Sequence, residues 1–249
     1  LLQRASQPVI GIGVGVPGLM DPTSGIVRQA VNLNWRDLPL GKLLHERFQR
    51  PIYLANDCQV AALGEYTFGT LTGNQNLILI KAGRGVGAGI VINGQLFHGE
   101  NAGAGEIGHI QVESNGETCR CGNRGCLETI ASTRALIRHA PAPIDTFEDL
   151  LQAYHAGDPK VTALVENAAQ ALGETVKHLV SILNIQHIRL AGNLSHLGSD
   201  LIKSIRSNLQ SGVLPALADG TQVDMAALGD DIVILGAASL VLKNELGLL

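Results

Sequence analysis

The pattern of hydrophobic and polar positions predicts a chain in which short strands and helices follow one another. Residues 9–16 alternate β-branched side chains with glycine, which predicts a buried strand that ends at the Pro17-Gly18 turn. Apolar residues recur at helical spacing over 160–184 and predict a long helix. We interpret this stripe as core or as a dimer interface.

Turn residues separate the other predicted elements. Asn93-Gly94 is a strong signal for a two-residue β-hairpin. Pro39 opens a helix with four apolar positions on one face, and the polar stretch 70–76 predicts a crossing between lobes. The other predicted strands span 51–55, 77–81, 88–92, 188–191 and 232–235. The helix that begins at Pro39 spans 39–49, and the other predicted helices span 58–68, 129–139, 147–156 and 236–246.

A cluster of cysteines is the strongest chemical feature of the chain. Three of the four cysteines, Cys119, Cys121 and Cys126, lie within eight residues and are separated by two glycines. Closely packed thiolates repel one another unless a cation neutralises them, and three thiolates with one imidazole form a closed tetrahedral set that suits structural zinc. His109 is the nearest histidine. The alternative is a disulfide with a free thiol, but Cys119 and Cys121 are too close in sequence for an ordinary bridge.

Carboxylates accompany this cluster and another strand end. Glu106 precedes His109 by three residues and Glu128 follows Cys126 by two, so a metal that orders the loop also orders both acids. Glu128 would equally suit the first turn of a helix. Asp57 has two interpretations as well. It is placed to be the N-cap of the helix 58–68, and it also stands where open α/β sheets bind ligands.

Glycines at 83, 85 and 87 predict a tight bend between two strands. Backbone N–H groups in such a bend can face phosphate oxygens, although the same glycines would serve hairpin twist alone. The Pro17-Gly18 turn leaves a similar choice between close approach to a ligand and an ordinary turn.

Composition limits the remaining possibilities. The chain has 249 residues, enough for one large domain or two lobes, and a net charge of −4, which gives no basic face for nucleic acid. Aromatic residues make up only 3% of the chain, no apolar run is long enough to span a membrane, and no signal-peptide pattern is present. We expect a cytoplasmic protein, and the missing initiator Met suggests a fragment or a trimmed chain.

Five motifs together resemble the ROK family, named for repressors, open reading frames and kinases. They are GVPG at 15–18, AND at 55–57, GRGVGAG at 83–89, EIGH at 106–109 and CRCGNRGCLE at 119–128. The resemblance implies an α/β actin-like ATPase (RNase-H-like) fold with two lobes. Because the D-x-G-x-T loop typical of ROK kinases is missing, we expect an incomplete first lobe of residues 1–73 plus 236–249, and a second lobe of residues 74–235.

The resemblance also implies a sugar site. The expected sugar contacts are Asn56, Asp57, Glu106, His109 and Glu128, with structural zinc on His109, Cys119, Cys121 and Cys126. In ROK kinases the residue matching Asp57 is the general base, and Gly83, Gly85 and Gly87 would match the phosphate loop. Arg84 replaces the usual Thr, and 191–193 matches the usual glycine pair loosely.

We therefore expect the sugar-sensing portion of a ROK transcriptional regulator that does not turn over ATP at a useful rate. Its expected partners are a monosaccharide and further copies of itself, as a homodimer or higher homo-oligomer. DNA would be bound only through an N-terminal domain absent from this chain. The alternative is an ATP- and Mg²⁺-dependent hexose kinase, and a third possibility is a zinc-stabilised oligomerisation module without a ligand.

Overall fold

The computed structural model describes residues 7–71, 73 and 75–247, so two positions of the predicted 70–76 crossing lie outside the described residues. Within these ranges, no helix combines the length and apolar character that a membrane span requires. The strands are β1 Ile12–Val16, β2 Leu19–Asp21, β3 Ile26–Ala30, β4 Trp35–Leu38, β5 Ile52–Asn56, β6 Leu77–Ala82, β7 Val86–Ile92, β8 Gln95–Leu96, β9 His187–Ala191 and β10 Gln222–Met225. The α-helices are α1 Leu40–Phe48, α2 Asp57–Phe68, α3 Glu128–Ala131, α4 Thr133–His139, α5 Phe147–His155, α6 Pro159–Leu183, α7 Ser199–Gln210, α8 Pro215–Gly220 and α9 Ile232–Leu246.

The chain forms two compact units, each built from separate stretches of sequence. The first contains the described residues of 7–75, 89–105 and 227–247, and the second contains 76–88 and 106–226. The predicted division differs from these units because it assigned 89–105 and 227–235 to the second lobe.

In the first unit, β1 and β5 pair in parallel from Ile12↔Ile52 to Val16↔Asn56, so both strands end at the same edge. Strands β2, β3 and β4 form a separate antiparallel sheet. Helices α2 and α9 approach closely through Gly64 and Gly236, since a Cβ added at Gly236 would lie 1.8 Å from the Val60 carbonyl oxygen.

In the second unit, β6, β9 and β10 are parallel and lie in the order β10-β9-β6. The β7–β8 hairpin, whose residues from 89 onwards belong to the first unit, forms through Asn93-Gly94 as predicted, with both residues at positive φ. Strand β6 and helix α6 supply much of the buried core. The largest fully buried side chains of this unit are Leu77, Ile78, Leu79, Ile80, Leu127, Leu136, Leu150, Leu172, Ile188, Leu190 and Leu194.

Three sequence-based predictions of elements are wrong. The predicted strand 232–235 is the first turn of α9, because a short apolar run does not distinguish a strand from a buried helix. The predicted helix 129–139 is divided at Ser132, whose side chain accepts from the Ala135 amide and caps α4. Asp57 is not an N-cap, since the preceding Asn56 caps α2. The elements β2, β3, β4, α7, α8 and β10 were not predicted.

Candidate functional site

Four side chains of the second unit form a cluster of possible metal ligands: His109, Cys119, Cys121 and Cys126. Their ligand atoms all lie within 4.8 Å of one another. The Sγ atoms of Cys121 and Cys126 are 3.7 Å apart, and Nδ1 of His109 is 3.7 Å from Sγ of Cys119. A tetrahedral ion at zinc bond lengths would separate two sulfurs by about 3.8 Å and a sulfur from a nitrogen by about 3.6 Å. The predicted set therefore fits one tetrahedral ion.

The backbone around the cysteines is folded by two short turns. Isolated bridges pair Gln111 with Cys126 and Thr118 with Arg124, so the chain doubles back between the ligands. Gly125 has φ +66°, and a Cβ there would lie 1.7 Å from the Glu113 carbonyl oxygen. Only glycine satisfies both constraints, so the turn geometry requires a glycine at this position of the CGNRGC motif.

Burial affects the cysteine thiols unequally. Desolvation and then hydrogen bonding to the neighbouring thiols raise the pKa of Cys126 to about 12, and desolvation also raises the pKa of Cys119. Burial acts in the same direction on Cys121, but hydrogen bonds from the Asn123 amide and the other thiols lower its pKa overall. A cation among the three sulfurs would favour the thiolates that burial disfavours.

His109 lies between the sulfur cluster and a carboxylate. Its Nδ1 faces Cys119, while its Nε2 is 3.9 Å from an oxygen of Glu106. A ring that ligates a metal through one nitrogen commonly has its orientation fixed by a polar partner at the other nitrogen. His109 can therefore serve the metal and still present an N–H beside Glu106.

Glu128 joins the cysteine loop to the glycine-rich bend. Its Oε2 accepts from the Val86 amide at 3.1 Å, and its Oε1 is 3.4 Å from the Arg120 guanidinium. The side chain of Glu128 is only 13% exposed. This carboxylate is therefore an ordered acceptor at the boundary between the two motifs, in the first turn of α3.

The glycine-rich bend has its own internal hydrogen bonds. The Gly83 amide donates to the Gly85 carbonyl at 2.9 Å, and the Thr133 amide donates to the Gly83 carbonyl at 2.8 Å. With Val86 bound to Glu128, two amides of the bend already have acceptors within the chain. Arg84 is exposed on the bend.

In the first unit, the parallel strands β1 and β5 end beside the start of α2. Asn56 accepts from the Cys58 and Gln59 amides through Oδ1 and donates from Nδ2 to the Gly18 carbonyl at 3.0 Å. Its amide is thus largely occupied, with one N–H remaining for another acceptor. Asp57 follows as the first residue of α2, at the positive end of the helix dipole.

Replacing Asn56 should separate its two structural roles. We expect Asn56→Ala to lower the free energy of unfolding by about 2 kcal/mol, because it removes the cap and the bond to Gly18. Asn56→Asp should retain the cap and lose only the Gly18 bond, so its cost should be about half as large. Urea unfolding of the three proteins measures both values, and equal losses would contradict the division of roles.

The predicted sugar-site residues are thus divided between the two units. The first holds Asn56 and Asp57, and the second holds Glu106, His109 and Glu128. Sequence reasoning missed Arg120, which lies inside the cysteine motif and pairs with Glu128. It also missed the bond between Gln59 and His98, for which the sequence offers no signal because 39 residues separate them.

Comparison with known proteins shows which proteins this chain resembles. A model of the ROK family matches residues 1–244. The chain belongs to the ROK family. It is 37% identical to a glucokinase of Halalkalibacterium halodurans over 97% of this chain and 79% of that protein. It is also 32% identical to the xylose repressor of Bacillus spizizenii, covering 96% of this chain and 62% of the repressor, whose C-terminal part it matches.

A solved structure supports the same grouping. A ROK family glucokinase from Streptomyces griseus, in complex with glucose and AMPPNP, superposes with a TM-score of 0.85 at 30% identity. The match covers 94% of this ROK chain and 82% of that protein. The predicted α/β actin-like ATPase fold is therefore confirmed.

Proposed function

We propose that this ROK protein binds a monosaccharide and is the sugar-sensing portion of a transcriptional regulator. The observation that carries the proposal is the placement of His109, with one nitrogen towards the cysteine sulfurs and the other towards Glu106. A sugar presents many hydroxyls, and each one left unmatched in a site is a buried polar group without a partner. A carboxylate beside an imidazole supplies the acceptor and donor that such hydroxyls need.

The metal in this proposal is structural zinc. Three sulfurs and one imidazole nitrogen complete a tetrahedral shell, whereas a catalytic zinc would keep a position open for water or substrate. Zinc would order the loop that carries His109 and leads into Glu128. Asn56 and Asp57 are proposed as sugar contacts as well.

Two observations favour a sensor. The similarity to a xylose repressor extends along nearly the whole of this chain. In the glycine-rich bend, the Gly83 and Val86 amides are already bound within the chain, which leaves fewer N–H groups for phosphate. Operator contacts would belong to a separate DNA-binding domain, since a net charge of −4 does not favour binding of this chain to nucleic acid. Sugar binding would shift the conformational equilibrium of a homo-oligomer.

A hexose kinase is the second candidate, and two observations favour it. The chain is similar to a glucokinase over nearly its whole length. Asp57 also stands at the carboxyl end of β5, where a carboxylate could take a proton from a sugar hydroxyl during phosphoryl transfer. Under this alternative, Gly83, Gly85 and Gly87 would approach the phosphates of ATP–Mg²⁺.

Calorimetric titration with glucose, xylose and N-acetylglucosamine tests the sugar site. We expect one of these sugars to bind, and Asp57→Asn to weaken it roughly ten- to hundredfold through loss of a charged acceptor. Asp219→Asn, an exposed change on α8, is the matched control and should leave the affinity unchanged. Absence of binding by the unmodified, zinc-loaded chain to every sugar would contradict the proposal.

A coupled assay with ATP–Mg²⁺ decides between the two candidates. The sensor predicts sugar binding without turnover. The kinase predicts turnover that Asp57→Asn lowers by at least about a hundredfold, as expected for loss of a general base.

A further inference from the structure

A buried amide and a histidine form an isolated polar contact in the first unit. Gln59 of α2 is 2% exposed, and its Oε1 lies 2.8 Å from Nδ1 of His98. Its Nε2 is buried without a hydrogen-bond partner among the residues that the structure describes. A buried donor without a partner is destabilising, so an apolar residue would be the more stable choice if packing alone mattered.

His98 also closes the loop that follows β8. Its carbonyl accepts from the Ala104 amide at 3.0 Å, which brings the two ends of 99–105 together. Ala102 within this loop has φ +55°, a strained conformation for a residue that carries a Cβ. A Cβ built on Gly103 would lie 3.3 Å from Leu19, directly after the turn that binds Asn56. The loop thus lies against the segment that borders the start of α2.

The contact between Gln59 and His98 is a neutral hydrogen bond. Desolvation, with a smaller contribution from the charge of Lys243 on α9, lowers the pKa of His98. The imidazole is therefore uncharged near neutral pH. Because Oε1 of Gln59 can only accept, Nδ1 of His98 is the donor in this contact. A buried side-chain bond of this kind holds a loop in place without requiring a charge.

We propose that Gln59 and His98 are positioning residues of the sugar site, holding the loop 99–105 against the start of α2. The inference rests on the proposed sugar-binding function. Gln59 follows Asp57 by two residues, and the loop leads directly into Glu106. One hydrogen bond therefore orders the chain next to two of the expected sugar contacts.

Substitutions at both positions test this role in the zinc-loaded protein. His98→Leu and Gln59→Met each remove the bond at similar volume, whereas His98→Asn keeps a donor close to the position of Nδ1. We expect the first two to speed amide exchange in 99–105 and to weaken binding of the sugar that the unmodified protein takes by about tenfold. His98→Asn should leave amide exchange in 99–105 and sugar affinity close to those of the unmodified protein. The variant that carries both His98→Leu and Gln59→Met should bind the sugar no more weakly than either single variant.

His178→Leu, an exposed change on α6, is the control for loss of a histidine. It should change neither amide exchange in 99–105 nor sugar affinity. Unchanged exchange in 99–105 would show that the bond does not hold the loop. Faster exchange with full sugar affinity would show a role in folding only, and either result overturns the proposal. If the unmodified protein binds none of glucose, xylose and N-acetylglucosamine, the proposed function fails together with the positioning role, while the exchange reading still reports whether the bond holds the loop.

Discussion

Replacing Cys126 with serine should abolish metal binding and disorder the segment that carries His109 and Glu128. Cys126 is fully buried, and its Sγ lies 3.7 Å from that of Cys121. Structural zinc sites hold their ions with apparent free energies of about 10–16 kcal/mol in small peptides, so loss of one ligand removes a large stabilising contribution. We expect the zinc content to fall from about one equivalent to near zero, with lower thermal stability and no measurable sugar binding.

Cys58→Ser is the matched control for this experiment. Cys58 is also a buried cysteine, 8% exposed, but it lies in α2 outside the four-residue cluster. The Cys58→Ser protein should retain the full zinc content in a metal assay of the purified protein. A Cys126→Ser protein that still holds one zinc per chain would exclude the assigned ligand set.

The cysteine cluster was predictable because its chemistry depends on local sequence. Cys119, Cys121 and Cys126 are close in the chain, and the glycines between them permit only a few compact turns. The role of His109 was harder to predict, since its Nδ1 lies near Cys119 only because Gln111 pairs with Cys126. A short apolar run before the cysteines was the only sequence signal for that pairing.

Features that depend on distant packing were not predictable. The run at 232–235 is rich in β-branched residues and precedes a glycine, which together indicate a strand. In the structure Gly236 is a helix interior residue that lets α9 approach α2, and nothing near it in sequence indicates that partner. The choice of Asn56 as N-cap is similar, because it depends on the backbone conformation where β5 meets α2.

The close approach of α2 and α9 leads to the second large prediction. We expect Gly236→Ala to lower the free energy of unfolding by at least about 3 kcal/mol, because the new Cβ would lie 1.8 Å from the Val60 carbonyl oxygen. That atom belongs to the backbone of α2, so relief requires one helix to move away from the other. For a chain of this size the melting temperature should fall by roughly 10 °C.

Gly220→Ala provides the comparison, since it is the same substitution at the last residue of α8. Its nearest neighbour is Nε2 of Gln186 at 2.8 Å, the end of a flexible side chain that can rotate away. We expect a change below about 0.5 kcal/mol, with alanine favoured over glycine by helix propensity. Because α2 begins at Asp57, the Gly236→Ala protein should also lose sugar affinity while it keeps its zinc, whereas Gly220→Ala should keep both. Equal stability of the two variants in thermal unfolding would show that α2 and α9 are not held at the distance that Gly236 permits.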